Sequence, residues 1–267
     1  MGSIDASSRP IFSPMPTLLA FLEYDGSAFF GSQIQKEEPS VALALQRGLK
    51  SMGIASKVRF SGRTDRGVHA TRQAVSFEVP YKKSDWGYFK EELNKKLFPY
   101  LRVRRLYPIR EGLDPRFEAK SRAYRYLLSE EPLSAFASRY VTHAHLGDER
   151  KIQEAMKLLV GWHDFALFKK SGSQEKSTLR EMRRCWLYRY RSYWVFYFEA
   201  NGFLRLQIRL LVGALLKVGR GEMSLEEFKE QLEAKRRFFC EGAPPYGLYL
   251  CKVSFESSIW EVRDRNH

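Results

Sequence analysis

From Thr17 to Tyr24 the chain is almost continuously apolar (TLLAFLEY) and then stops at Asp25-Gly26, the pattern of a buried strand closed by a turn. Ser40, just after Pro39, has the short polar side chain of a helix N-cap, and Leu45, Leu49 and Met52 then recur at helical spacing. Residues 57–61 and 72–79 read as strands, the second alternating Val75, Phe77 and Val79. A helix capped at Ser84 follows, with Trp86, Phe89, Leu93 and Leu97 on one face, and then a strand over 101–107. The order is β-α-β-β-α-β.

The second half repeats this order without repeating the sequence. A strand over 122–129 leads to a helix over 148–160 with Ile152, Ala155, Met156 and Leu159 inward, and to a hairpin of 182–190 with 194–200. A helix over 204–218 carries the stripe Ile208, Leu211, Val212, Leu215 and Leu216. Ser224 and Glu227 form a capping box for a third helix with Leu225, Phe228 and Leu232, and a strand over 248–255 closes the half. The pattern predicts an α+β fold of two split β-α-β halves, RRM-like or ferredoxin-like, forming a largely antiparallel sheet with helices on one face. The turn-rich stretch 112–115 divides an N-terminal half, 17–112, from a C-terminal half, 113–256, between a flexible leader, 1–16, and a tail, 257–267.

Composition narrows the class. A chain of 267 residues with 44% hydrophobic content has enough apolar material for real cores without a disulfide staple. The longest apolar-looking run, 204–218, is broken by Arg205, Gln207, Arg209 and Lys217, so no membrane span is expected. The three cysteines, Cys185, Cys240 and Cys251, have no CxxC spacing, and the leader has no apolar segment of the signal-peptide kind, so a reducing, cytoplasmic setting is the default. The 45 Lys and Arg against 31 Asp and Glu give a net charge of +14, which points to a polyanion. Nucleic acid comes before an anionic membrane, because the basic residues lie on strands and loops rather than on one amphipathic helix.

The densest polar cluster is Ser61-Gly62-Arg63-Thr64-Asp65-Arg66-Gly67-Val68-His69. It reads either as a solvated turn with two surface arginines or as a functional loop in which Arg63 and Arg66 favour an ionised Asp65 and grip phosphates. His69 has the chemistry of a general base, but a structural histidine fastening the loop is the expectation, since nucleophile, clamp and base would crowd one another. No metal-ligand spacing, phosphate-cradling GxxxxGK[ST], dinucleotide fingerprint or zinc-deaminase signature occurs, so neither metal nor cofactor is expected. On the strand Ser121-Arg122-Ala123-Tyr124-Arg125-Tyr126, alternation puts Arg122, Tyr124 and Tyr126 on one face. A tyrosine there either packs in the core or stacks on a base and moves a proton. Arg209 lies at the edge of its helix's apolar stripe, where it either snorkels or meets a carboxylate at the core boundary. Eight Lys and Arg against three acids between 101 and 125, and eight against two between 169 and 191, favour an RNA groove over plain solvated faces.

At these residues the chain resembles the TruA-type tRNA pseudouridine synthases, from Thr17 to Phe255. The matching pieces are Tyr24-Asp25-Gly26-Ser27 with Gly31 and Gln33, Ser61-Gly62-Arg63-Thr64-Asp65 with Gly67-Val68-His69-Ala70, and Arg116-Phe117 with Ala119. They continue with Arg122 and Tyr124-Arg125-Tyr126, Gly161 and His163-Asp164-Phe165, Asn201 and Phe203-Leu204-Arg205, Arg209 with Val212-Gly213, and Gly247-Leu248-Tyr249-Leu250. Ser32, Arg66, Asp114 and Leu206-Gln207 stand where the family commonly has tryptophan, alanine, histidine and a His-Met pair. The resemblance implies a cofactor-independent isomerase in which Asp65 attacks the uridine, Tyr124 stacks on the flipped base, Arg209 pairs with the aspartate and Arg63 holds or replaces the extruded nucleotide. Arg66, Arg122 and Arg205 join Arg63 as expected substrate-binding groups. The resemblance also implies a homodimer reading tRNA, with anticodon stem-loop uridines at tRNA positions 38, 39 and 40 as targets. The rival expectation is a non-catalytic RNA-binding or RNA-folding module of the same fold, disfavoured because a carboxylate among the arginines would repel phosphate.

Overall fold

The computed structural model describes residues 15–35, 38–80, 85–173 and 175–260. Residues 1–14 of the expected leader, 261–267 of the expected tail and the expected cap Ser84 lie outside the described residues.

The first strand, β1 (Thr17–Tyr24), is buried along nearly its whole length, as its apolar run requires. Helix α1 (Val41–Ser51) starts where the Ser40 Oγ accepts from the Leu43 N–H at 3.2 Å, and it turns Val41, Ala42, Leu45 and Leu49 inward. Strand β2 (Arg59–Phe60) is shorter than the apolar pattern suggests, because only those two residues find partners, Ser76 and Val75, on β3 (His69–Glu78). Helix α2 (Trp86–Leu97) is capped by Asp85, whose Oδ1 accepts from the Gly87 and Tyr88 N–H groups at 2.8 and 3.0 Å. Strand β4 (Leu101–Ile109) follows.

A one-turn helix, α3 (Pro115–Glu118), leads into β5 (Ser121–Ser129), the two-residue β6 (Thr142–His143) and α4 (Glu149–Leu158). Strand β7 (Gly161–Asp164), too short to announce itself by alternation, pairs with β8 (Leu179–Tyr190), which forms the expected hairpin with β9 (Tyr193–Ala200). Helix α5 (Gln207–Gly219) begins three residues later than its apolar run, because Leu206 adopts φ 65° and the Gln207 Oε1 accepts from the Leu204 N–H at 2.7 Å to make a turn there. Helix α6 (Leu225–Leu232) carries the reciprocal capping box of Ser224 and Glu227, and β10 (Leu248–Ser254) ends the sheet-forming chain.

The strands form one ten-stranded sheet in the order β4-β1-β3-β10-β5-β9-β8-β7, with β2 on β3 and β6 on β5. The fold is thus mixed α and β with a large, mostly antiparallel sheet. Its seam is the parallel pairing of β10 with β3, Tyr249 opposite His69 and Leu250 opposite Ala70. One edge of β3 therefore serves two partners, β10 at its start and β2 near its end. The loop joining β2 to β3 emerges between them. Below the sheet the buried apolar side chains of both halves form one continuous cluster.

Candidate active site

The loop at the seam is the polar cluster around Asp65, and local bonds fix its shape. The Ser61 Oγ donates to the Gln73 Oε1 at 2.7 Å, and the Gln73 Nε2 returns a bond to the Gly62 carbonyl at 2.9 Å. The Thr64 N–H donates to the Ser32 Oγ at 2.9 Å, the Ser32 N–H donates back to the Thr64 carbonyl at 3.1 Å, and the Tyr24 and Thr64 hydroxyls share a bond of 2.8 Å. Gly31, at φ 103°, lies so close that a Cβ there would sit 2.9 Å from the Thr64 carbonyl oxygen. Burial pushes the Tyr24 phenol up to about 12, so it stays a neutral hydrogen-bonding group. This net of Tyr24, Ser32 and Gln73 is not readable as a site from sequence. Only the adjacency of Tyr24 to the Asp25-Gly26 turn hints at it.

The loop thereby holds the Asp65 side chain 29% exposed, reachable by a substrate. The cation in contact with it is Arg205, whose Nε lies 3.6 Å from the Asp65 Oδ1. Arg209, expected as its pair, is half-buried, and its Nε donates to the Ala243 carbonyl at 2.6 Å. Burial lowers the pKa of its guanidinium and the Asp65 charge partly offsets this, so Arg209 acts on the carboxylate through the field rather than through an ion pair. Arg63 is exposed, and Arg66 lays its guanidinium 3.9 Å from the centroid of the Phe30 ring. Both are open to phosphates.

Across β10, Tyr124 points toward the same region. It is buried, meets Phe203 edge-to-face at 5.2 Å, and its hydroxyl makes no hydrogen bond among the described residues. Burial raises its phenol pKa further, with the Tyr24 and Asp65 charges adding to the effect, so the hydroxyl is protonated at neutral pH. Tyr126, by contrast, is fully buried and shares a hydrogen bond with the Thr142 hydroxyl at 2.7 Å as part of the core.

Arg122 corrects an expectation. Its guanidinium is buried and donates to four main-chain carbonyls: Ala119 at 2.9 Å, Asn201 at 3.0 Å, Ser61 at 2.7 Å and Arg116 at 2.6 Å. Buried, and with both Nη groups donating to carbonyls, it is not available to a phosphate. It instead ties β5 to the residue that opens the Asp65 loop and to the segment leading to Arg205. Every other Lys and Arg between 101 and 125 is exposed.

His69 is a fastener. The Gly26 N–H donates to its Nδ1 at 2.9 Å, so its proton is on Nε2, which donates to the Arg139 carbonyl at 3.1 Å, and Tyr249 stacks on the ring at 4.7 Å. Gly26 is required there, since a Cβ would collide with the Val68 carbonyl. Among the described residues, no three His, Cys, Asp or Glu side chains come together as a metal cage, and no helix is long and apolar enough to cross a membrane.

A seam-mounted carboxylate beside arginines and a buried tyrosine, on a strongly basic chain, defines the class first: residues 155–256 match the family model described as tRNA pseudouridine synthase. The tRNA pseudouridine synthase A of Helicobacter hepaticus is 38% identical over 247 residues, 90% of this chain and 100% of that one. The Campylobacter jejuni and Pseudothermotoga lettingae proteins of the same description are 39% and 37% identical, each over 90% of this chain and all of their own length. The chain belongs to the tRNA pseudouridine synthase A family. Its activity is that of a tRNA pseudouridine synthase, an isomerase.

Proposed function

We propose that Asp65 is the nucleophile of this isomerase and that its targets are uridines of the tRNA anticodon stem-loop. The observation that carries the reading is the partly exposed Asp65 carboxylate on a loop held from both sides, with Arg205 at 3.6 Å. Arg205 and Arg209 place positive charge beside the carboxylate that attacks. The carboxylate adds to the uridine at the uracil ring or at the ribose anomeric carbon, and the glycosidic bond breaks. The detached uracil turns, its C5 bonds to the ribose carbon, the C5 proton is lost to solvent while N1, freed of the ribose, takes one up, and the aspartate is released. No atom is gained or lost, so the residues alone suffice.

Flipping the uridine out of its stack costs a few kcal/mol. Stacking on Tyr124 and grip on the backbone by Arg63, Arg66 and the basic strips offset that cost. A neutral Tyr124 phenol enters the reaction as a hydrogen-bond donor. Each half is read as one split β-α-β unit, since β4-β1-β3-β2 and β10-β5-β9-β8 follow the same strand order, with the helices on one face and the boundary at 112–115. The working form is a homodimer acting in the cytoplasm, in keeping with the free cysteines.

The test is pseudouridine formation in unmodified tRNA, mapped by position, for wild type and Asp65→Asn without added metal or cofactor. Wild type converts anticodon-stem uridines, and the variant binds tRNA within a few-fold but does not turn over. Unchanged turnover in Asp65→Asn overturns the assignment. Tight binding by both with no conversion of any uridine favours the non-catalytic binder.

A further inference from the structure

Four exposed rings stand on two segments that meet at Asp25, beside His69. Phe98 (80% exposed), Tyr100 (53%), Phe136 (82%) and Tyr140 (37%) come from two segments well separated in sequence. Asp25 ties the segments together. Its N–H donates to the Tyr100 carbonyl at 2.9 Å, and its Oδ2 accepts from the Tyr140 hydroxyl at 2.7 Å. Phe136 opens the single turn Ala137–Arg139 that ends at Tyr140, and the Ala137 N–H donates to the Ser134 Oγ at 3.1 Å to hold that turn. The same turn is fastened to the catalytic loop, because His69 donates to the Arg139 carbonyl at 3.1 Å and its ring lies 5.3 Å from that of Tyr140.

Rings of this size are normally buried, and an exposed cluster of them marks an interaction surface. Tyr140 is held through its hydroxyl and Tyr100 through its main-chain carbonyl, so the segments that carry the rings lose little freedom when a flat partner lies on them. Arg139, among the rings, is exposed and has no carboxylate partner among the described residues. A π-face beside an unpaired cation, on a chain of net charge +14, matches single-stranded RNA: bases on the rings, phosphate on the guanidinium. We propose that this rim is a stacking platform for unpaired tRNA bases flanking the target uridine, an inference that rests on the tRNA being brought to Asp65.

The test titrates unmodified tRNA against the full chain. Phe136→Ala and Tyr100→Ala each weaken binding about tenfold, and Phe136→Trp restores it. The plot of log Kd against log salt shifts in parallel for the ring variants, because stacking releases no counterions, whereas Arg139→Gln makes it shallower. Unchanged affinity in the Phe136→Ala, Tyr100→Ala double variant overturns the proposal. So does a loss that Phe136→Trp fails to repair, or a changed oligomeric state with tRNA affinity retained, which would make the rim a protein contact. A wild type that forms no pseudouridine strikes at the Asp65 reading instead and leaves the affinity comparison intact.

Discussion

His69 has the chemistry of a base, yet every atom that could work is occupied. Burial pushes its pKa below the ordinary 6.5, and the nearby Asp25 carboxylate and the Arg139 and Tyr246 carbonyls only partly oppose that. For Asp25, burial works upward, but hydrogen bonds from Ser27 and Tyr140 outweigh it and hold the carboxyl below its ordinary 3.8. In the folded chain His69 is therefore neutral where the unfolded chain takes up a proton. Stability from this site is complete above about pH 6.5 and falls as pH drops below it, by up to about 1.4 kcal/mol per pH unit, until the lower folded value is passed. The Asp25 contribution is lost only in the carboxylate range, well below that window. Between about pH 7.5 and about pH 5.5 the melting temperature of wild type falls more than that of His69→Gln. Equal falls in a thermal melt would remove the assignment. The fastening role is legible from crowding alone, and the density of polar residues picks out the Asp65 loop, although the arginines beside Asp65 in sequence are not the one in contact with it. The role of Arg122 is not legible, because strand alternation gives the face a side chain takes but not whether phosphates or carbonyls meet it there. The contact of Asp65 with Arg205 rather than Arg209 escaped for a similar reason: helical spacing places Arg209, but the turn at Leu206 decides which arginine reaches across.

At the scale of elements, caps and apolar spacing carried most of the fold. Ser40, Asp148 and Ser224 each cap a helix where the pattern expects one, and the two longest β-pairings, β1 with β4 and β8 with β9, join runs that read as strands. The misses share a cause. β2 and β7 are set by a partner strand rather than by their own residues, and the late start of α5 is set by backbone geometry. The end of α6 shows a local rule left unfilled. The Lys235 N–H donates to the Glu230 carbonyl at 3.0 Å and the Ala234 N–H to the Gln231 carbonyl at 3.2 Å, the double closure of a Schellman motif. The residue in the left-handed position is Ala234, at φ 58°, where the Cβ costs energy that glycine avoids. Ala234→Gly is expected to stabilise the chain by about 1 kcal/mol, raising the melting temperature by about 2 to 4 °C without altering turnover. A lower melting temperature in calorimetry would show that the lost methyl packing outweighs the relieved strain.

For the whole molecule, the decisive feature is that the last strand of the sheet lies in its middle. β10 pairs with β3 on one side and β5 on the other, so the two halves cannot close until residues 248–254 arrive. No local pattern in the chain announces this seam, since β10 reads like any short apolar strand. The Asp65 loop runs into β3 at the seam and Tyr124 stands one strand beyond it, so the same strand that completes the sheet sets the distance between the proposed nucleophile and the proposed stacking ring. Leu248, Leu250 and Val253 of β10 are buried, and at about 1.5 to 3 kcal/mol each their burial alone is comparable with the whole stability of a typical domain. A chain ending at Gly247 is therefore expected to show no cooperative unfolding transition. The milder Leu250→Ala, which leaves the ladder in place, loses about 2 to 5 kcal/mol while still unfolding in one step, because a single apolar cluster runs through both halves. Denaturant titration followed by tryptophan fluorescence and circular dichroism checks both. Two separated transitions in Leu250→Ala, or a cooperative one in the truncated chain, would mean that the halves fold independently and that the seam only joins them.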